Sequence, residues 1–428
     1  MSFANFELHP KIFAGVQSAG YKEPTPIQLK SIPPVMKGHD VVGLAQTGTG
    51  KTAAFVLPIL QRLVQGPHSH VRALVIAPTR ELSEQTHEAI GQLGRKTKLR
   101  SASIYGGVSI RGQIKKLRNH VDIISACPGR LLDHLNRGTV DLSRVEVLVL
   151  DEADRMFDMG FLPDIRKIVK HLPKKRQTLL FSATMPQDVK KLTNDLLQNP
   201  LQIKIGSTAP VDTVSHRFYP VRMDTKTELL KDILDHTERD SVLIFTRTKS
   251  RAKSVAGQLD KSGYSAISLH GNLTQQKRQK ALTGFRDGRY EIMVATDIAA
   301  RGIDVSSISH VINYDMPASK DDYTHRIGRT GRASQSGEAF SFVTGQDAGL
   351  AHSLTKTLGD KLEYRSISGL TIAMPTDKVS APGRKRGVKG TKTNNGNKKS
   401  FYPKGQGSRK PKKRSSQSAS AGRRSWSH

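Results

Sequence analysis

Five strand-length apolar runs recur along the chain: Ala73 to Ala77, Val145 to Leu150, Thr178 to Phe181, Val242 to Phe245 and Ile292 to Ala295. Each is followed by a polar or glycine-containing turn and then by a helical pattern. A strand that is apolar at nearly every position, rather than at alternate ones, must be covered on both faces, which is the situation of a parallel sheet flanked by helices. The pattern therefore predicts an α/β protein of repeated βα units. At 428 residues the chain exceeds the roughly 250 to 300 residues at which one hydrophobic core stops growing, so two such sheets are expected. The first series ends near Ile205. Residues 206–213 (GSTAPVDT) are small, polar and proline-containing, the composition of an interdomain linker, and a second series occupies 214–371. Residues 372–428 are built mainly from Gly, Ser, Asn, Lys and Arg, with too little apolar surface to offset the entropy of ordering. A disordered basic tail is predicted there. The expected division is 1–205, a linker at 206–213, 214–371, and the tail 372–428.

Charge narrows the partner. The formal net charge is +31, from 68 basic and 37 acidic side chains. From Asp377 onward 16 Lys and Arg meet a single acid, so about half of that excess sits in the tail. A balance of this kind favours polyanions, whether nucleic acid or an anionic membrane surface. No apolar stretch reaches the roughly 18 to 20 residues that span a bilayer, and residues 1–10 lack the basic-then-apolar layout of a signal peptide. A soluble cytoplasmic protein with no membrane partner is expected. The single cysteine, Cys127, cannot form an internal disulfide. Phe401, Tyr402 and Trp426 interrupt the tail with faces suited to base stacking.

Two segments carry recognisable chemistry. Ala45-Gln46-Thr47-Gly48-Thr49-Gly50-Lys51-Thr52 follows the apolar run Val41 to Leu44 and precedes a helical segment. Glycines there let successive backbone N–H groups curl around phosphates, and the helix N-terminus adds positive potential. Lys51 would reach the β- and γ-phosphates and the Thr52 hydroxyl would ligate Mg²⁺. Asp151-Glu152-Ala153-Asp154 emerges directly after a buried-type strand, where ligands bind in parallel sheets. Asp151 would hold Mg²⁺, and Glu152 would orient or deprotonate the attacking water. Taken alone, the acidic segment also fits a solvated helix start.

With these residues in view the chain resembles the DEAD-box RNA helicases, and within them the bacterial RhlE-like branch, over nearly all of residues 1 to 371. The resemblance implies two tandem RecA-like domains sharing one ATP and Mg²⁺. It implies that Gln28, in the match Gly20 to Gln28, hydrogen-bonds the adenine edge, that Phe3 stacks on that base, and that Asp304 contacts the ribose. Pro78, Thr79, Arg80, Gly106 and Gly107, and Arg130 match its RNA-facing motifs in the first half, as do Thr248, Arg278 and Thr296 in the second. At Cys127 the family usually has threonine, so one hydroxyl contact to RNA is missing. Asp154, Ser182, Thr184 and His325 match positions that couple hydrolysis to strand separation. Arg329 and Arg332, in His325 to Arg332 (HRIGRTGR), look like arginine fingers reaching the γ-phosphate from the second domain. The implied activity is RNA-stimulated ATP hydrolysis that unwinds short duplexes, on single-stranded RNA bound without regard to sequence. A monomer is expected, acting in ribosome assembly or RNA turnover with ribosomal or RNA-degradation proteins as partners. The rival reading is an ATP-gated RNA clamp or scaffold for remodelling ribonucleoprotein, in which strand separation is incidental.

Overall fold

A computed structural model describes residues 2–46, 48–205, 214–300, 308–331 and 337–372. The linker 206–213, nearly all of the tail, and the candidate residues Thr47, Asp304 and Arg332 lie outside the described residues.

Seven strands build the first sheet: β1 Val41–Leu44, β2 Ala73–Ile76, β3 Ser101–Ile104, β4 Ile123–Ala126, β5 Val147–Asp151, β6 Gln177–Ser182 and β7 Leu201–Lys204. Seven more build the second: β8 Val214–Pro220, β9 Val242–Phe245, β10 Ala266–Leu269, β11 Ile292–Ala295, β12 His310–Asn313, β13 Gly337–Val343 and β14 Leu362–Tyr364. All their pairings are parallel, in the orders β3-β4-β2-β5-β6-β1-β7 and β10-β11-β9-β12-β13-β8-β14. Strand for strand the second order repeats the first, so the two series anticipated from the apolar runs are two copies of one RecA-like topology.

Period-two geometry explains why the strands read as unbroken apolar runs. Val41, Ala73, Val75, Val147, Val149, Leu179 and Phe181 point into a core on one face of the first sheet. Their neighbours Val42, Leu74, Ile76, Leu148, Leu150 and Leu180 point into another on the opposite face. The second sheet is covered in the same way, with Leu243, Phe245, Met293 and Ala295 on one side and Val242, Ile244, Ile292 and Val294 on the other. Only the border strands β7 and β14 are largely exposed. No helix among the described residues is long and apolar enough to cross a membrane.

Register turns the duplication into residue equivalences. Ala73 of β2 pairs with Val147 and Ile123, as Val242 of β9 pairs with His310 and Ile292. On that alignment Thr79 corresponds to Thr248, Gly106 to Gly271, Cys127 to Thr296 and Glu152 to Asp315. Thr79 and Thr248 do the same local work: each caps the following helix, accepting the backbone N–H of Leu82 and of Arg251. Cys127 occupies the N-cap of the helix Pro128–Asn136 with no side-chain cap bond, since a thiol is a poor acceptor. Burial also pushes its thiol up to about 12, which keeps it protonated and unreactive. Restoring the hydroxyl should stabilise the first domain: Cys127→Thr is expected to raise its unfolding temperature by about 2 °C, from a cap worth up to about 1 kcal/mol. A thermal melt of the two proteins side by side reads this, and an unchanged or lower midpoint removes the capping argument.

Candidate active site

In a parallel sheet every strand delivers its following loop to the same edge. The phosphate loop after β1, the Asp151 segment after β5 and the Ser182 segment after β6 are thereby brought together from adjacent strands, the order being β5-β6-β1. Gly48 and Gly50 hold φ values of +84° and +89°, open to glycine at no steric cost. A Cβ on Gly50 would also lie 2.5 Å from Nε2 of Gln28. That closeness reflects a real contact, because Gln28 is buried and donates from Nε2 to the Gly50 carbonyl at 3.0 Å while Oε1 accepts the Thr25 N–H at 2.9 Å. Gln28 thus braces the phosphate loop from the N-terminal segment. Lys51 opens the helix Lys51–Leu63, is buried, and donates to the Ala45 carbonyl at 2.8 Å, back across the mouth of its own loop.

Asp151 is only 3% exposed, and its Oδ1 is buried with no hydrogen-bond partner. Burial pushes the carboxyl up to about 7, against the pull of Lys51 and with the push of Glu152. An orphaned, desolvated carboxylate oxygen beside a phosphate loop is the donor that a hard divalent cation requires. No group of three or more His, Cys, Asp or Glu among the described residues forms a metal cage, so any cation here would share its coordination with phosphate and water. Glu152 sits in the left-handed region at φ +53° and pairs through Oε2 with Arg155 Nη1 at 2.5 Å, both side chains buried. A non-glycine residue in that conformation carries local strain of about 1 kcal/mol or more. Asp154 is the hub of the segment. Its Oδ2 accepts the backbone N–H groups of Ala183 and Thr184 and the Thr184 hydroxyl at 3.1, 2.8 and 2.9 Å, and its own N–H donates to Ser182 Oγ at 3.1 Å. Burial raises this carboxyl, but the bonds from Thr184 and Ser182 more than offset it and leave it below the usual range. The expected Asp154, Ser182 and Thr184 group is therefore a bonded unit.

The second sheet meets this edge. His325 and Arg329, from the helix Lys320–Ile327 and the turn after it, line a narrow cleft with Arg155 of the first sheet. Arg329 is 3% exposed. Burial lowers the pKa of His325, helped by Arg155 and Arg329 and opposed by Asp154, which places the imidazole within electrostatic reach of the Asp154 hub. Arg326 anchors the turn, with Asp297 on Nε and Nη2 at 2.5 and 2.7 Å, Asn313 and the Asp315 carbonyl on Nη1, and Phe245 beneath its guanidinium. The apolar motif positions alone did not single out Arg155, Asp297 or Arg326.

A second cleft, about 520 Å³, gathers Thr79, Arg80, Gly106, Cys127 and Arg130 from the first sheet with Gly271 and Arg278 from the second. Pro78 and Gly129 also line it. Gly107 has φ +83° and lies under the Arg80 guanidinium, which a Cβ there would displace. Arg130 donates to the Val108 carbonyl and to Gln113. Thr248 and Thr296 stand at the ends of β9 and β11 on the same edge. Two expected site residues are already engaged within the chain. Arg278 lines this cleft while bound to Glu81 at 3.0 and 2.5 Å, both side chains under 10% exposed, as a tie between the two sheets. Arg80 likewise reaches Gln275 at 3.1 Å. Glu81 directly follows Arg80 and Gln275 lies three residues before Arg278, but nothing in one strand-turn-helix unit says which residue of another it will meet. Phe3 is 2% exposed and packed edge-to-face with Phe6 and Tyr21, which anchors the N-terminal segment.

Comparisons with known proteins agree with this geometry. A family model described as DEAD/DEAH box helicase matches residues 25–192, and the helicase conserved C-terminal domain matches residues 225–334. The ATP-dependent RNA helicase CshA of Limosilactobacillus reuteri is 44% identical over 357 residues, covering 83% of this chain and 72% of that protein. The DEAD-box ATP-dependent RNA helicase CshA of Geobacillus kaustophilus is 42% identical over 363 residues, covering 85% and 78%. Among solved structures, S. cerevisiae Dbp5 bound to RNA and ADP BeF3 matches with a TM-score of 0.75 at 30% identity, over 86% of this chain and 95% of that one. Mss116p bound to ssRNA and AMP-PNP gives 0.77 at 27% identity, over 86% and 79%. These curated relatives are CshA-type, so they support the family and not the RhlE-like branch. A phosphate loop, a buried acidic segment bonded to the Ser182 turn, and two facing copies of one parallel sheet therefore have a common explanation: the chain belongs to the DEAD-box ATP-dependent RNA helicases.

Proposed function

We propose that this chain hydrolyses ATP at the edge shared by its two sheets and uses closure of that edge to bend a single RNA strand, releasing the strand paired with it. The observation that carries the reading is the orphaned, buried Oδ1 of Asp151 beside Lys51. The proposed roles are Lys51 and the N–H groups of Thr47 to Gly50 on the phosphates, Thr52 and Asp151 on Mg²⁺, Glu152 on the attacking water, and Arg329 with Arg332 on the γ-phosphate. The cation, when bound, would neutralise charge on the β- and γ-phosphates. Arginine fingers in such sites are worth about 10³ to 10⁵ in rate. Phe3 and Gln28 are proposed for the adenine and Asp304 for the ribose, and Asp154, Ser182, Thr184 and His325 for coupling across the cleft.

RNA is proposed to lie along the second cleft, held through phosphates and 2′-hydroxyls by Thr79, Arg80, Gly107, Arg130, Thr248 and Thr296, which makes binding indifferent to sequence and selective for RNA. Arg278, which lines the same cleft while paired with Glu81, is proposed to face the RNA as well. The domain division 1–205, 206–213, 214–371 and 372–428 is likewise proposed, supported by β7 ending at Lys204 and β8 beginning at Val214. Membership of the RhlE-like branch, a cytoplasmic monomer, and a part in ribosome assembly or RNA turnover are proposals that rest on the motif series and the charge.

Three outcomes test the reading. Glu152→Gln should bind ATP and RNA as the parent does but lose at least about 10²-fold in turnover, as removal of a general base does. Stopped-flow ATPase beside an RNA-retention assay reads both, and rapid multiple turnover would remove Glu152 from the chemistry. Because the Asp151 carboxyl sits at about 7, protons compete with the cation below that pH. The Mg²⁺ concentration that half-saturates binding of a non-hydrolysable ATP analogue should rise by about tenfold from pH 8 to pH 6, measured by calorimetry, and a flat dependence speaks against Asp151 as ligand. Deleting residues 376–428 should leave intrinsic ATPase intact and raise the RNA concentration needed for stimulation. If RNA dependence at physiological salt does not move, the tail is not an RNA anchor; strand displacement scored in the same reactions separates unwinding from clamping.

A further inference from the structure

The opposite edge of the first sheet holds a second cluster of cations that the ATP and RNA clefts do not use. The turns entering β1, β5 and β6 and the last turn of the helix Lys51–Leu63 enclose a cleft of about 450 Å³ whose charged lining is Arg62, Arg144, Glu146, Lys175 and Arg176. That helix has 13 residues, so at about 1.5 Å per residue the cleft stands about 20 Å from the phosphate loop. The one carboxylate in the lining is already committed: Glu146 binds Arg72 at 2.6 Å. Asp40, close by, spends both oxygens on the backbone N–H groups of Thr178 and Gln198.

The cations are therefore under-neutralised, and part of that charge is desolvated. Arg62 and Arg176 are half-buried, and burial is the first cause lowering the pKa of each, ahead of Glu146 and Asp40, which act to raise them. Arg176 donates Nη1 to the Pro173 carbonyl at 2.7 Å, while its Nε is buried with no partner. Arg62, Arg144 and Lys175 have no hydrogen-bond or ion-pair partner among the described residues. A partly desolvated guanidinium whose neighbouring carboxylates are engaged elsewhere is costly, and an anion in this cleft would relieve that cost. Two exposed cations at the rim, Arg144 and Lys175, lead to two half-buried ones behind. The lining has no aromatic side chain on which a base could stack. Its forked donors suit phosphate oxygens.

We propose that this cleft binds the phosphodiester backbone of RNA lying outside the strand held between the two sheets, as a second, sequence-independent anchor. The proposal rests on RNA being the substrate. The shared chemistry is phosphate, and the rival source is free inorganic phosphate.

The test uses the full chain and the Arg144→Glu/Lys175→Glu variant, both positions being exposed and remote from the ATP and RNA clefts. RNA-stimulated ATPase is measured with an oligonucleotide of about ten residues, long enough to fill one track, and with a long structured RNA. Expected is an unchanged response to the short RNA, a half-saturating concentration of the long RNA raised by about tenfold, and a salt slope for the long RNA lowered by about 0.7 to 0.9 per lost phosphate contact. Equal behaviour of parent and variant on both RNAs overturns the proposal, and so does equal weakening on both, since the cleft would then belong to the main track or to the fold. Failure of the parent to respond to the short RNA would instead indict the RNA-helicase reading itself. Phenylglyoxal modification read by mass spectrometry separates the sources: long RNA should protect Arg62 and Arg176 where the short RNA does not. Full protection by inorganic phosphate alone, with none added by long RNA, overturns the assignment to RNA.

Discussion

An all-parallel sheet sends the end of every strand to one edge, and the rest of this molecule depends on that constraint. Lys51, Asp151 and Ser182 are 100 residues or more apart at the extremes yet stand side by side, because β1, β5 and β6 are neighbours in the sheet. The chemistry is then refined by short-range bonds. The strained Glu152 is held by Arg155, and Asp154 fastens the turn after β5 to the turn after β6 through four hydrogen bonds. These bonds tie the Ser182 turn to the acidic segment, which supports the coupling role proposed for Asp154 and Thr184.

Duplication of the sheet also shows how differently the two halves use equivalent positions. Lys226 opens the first helix of the second series as Lys51 does in the first, and Asp315 falls in register with Glu152. In the second sheet these two bind each other at 3.1 Å, with the Tyr314 carbonyl and the backbone N–H of Arg247 completing the cluster. Burial lowers the pKa of Lys226, and Asp315 acts against it. A lysine committed in this way has no charge to spare for a phosphate. It stiffens instead the turn that carries Arg326, through the Asp315 carbonyl. One sheet therefore kept the phosphate loop, while its copy became a rigid platform for arginines.

Much of this was legible in the chain itself. Runs such as VLIF and IMVA had to be strands covered on both faces, and the phosphate loop and acidic segment had to share an edge. Strands such as β3 (SASI) and β10 (AISL) were less visible, because serines interrupt their apolar character. What stayed hidden is which distant partner each site residue meets. Arg80 meets a residue 195 positions away and Arg278 one 197 positions away, and local sequence carries no information about how two sheets face each other. Phe3 is a related case: an aromatic residue near a terminus reads the same whether its ring is open or covered, and its packing against Phe6 and Tyr21 shows only after folding.

The seam between the sheets is polar, and this matters for a machine that must open. Had the facing edges been joined by leucine and valine, burial at about 25 cal/mol per Å² would have made closure permanent. Glu81 and Arg278 instead form a buried ion pair whose Coulombic gain is largely spent on removing both charges from water, although deleting one partner alone would cost about 3 to 5 kcal/mol. Such a tie specifies how the edges meet without contributing much to whether they meet. The balance between open and closed is then left to whatever binds across the edge, and a ligand with differential affinity of a few kcal/mol is enough to tip it. On the function proposed above, a nucleotide touching both walls and RNA lying along the adjoining cleft would supply that difference twice over, and each would strengthen the hold on the other.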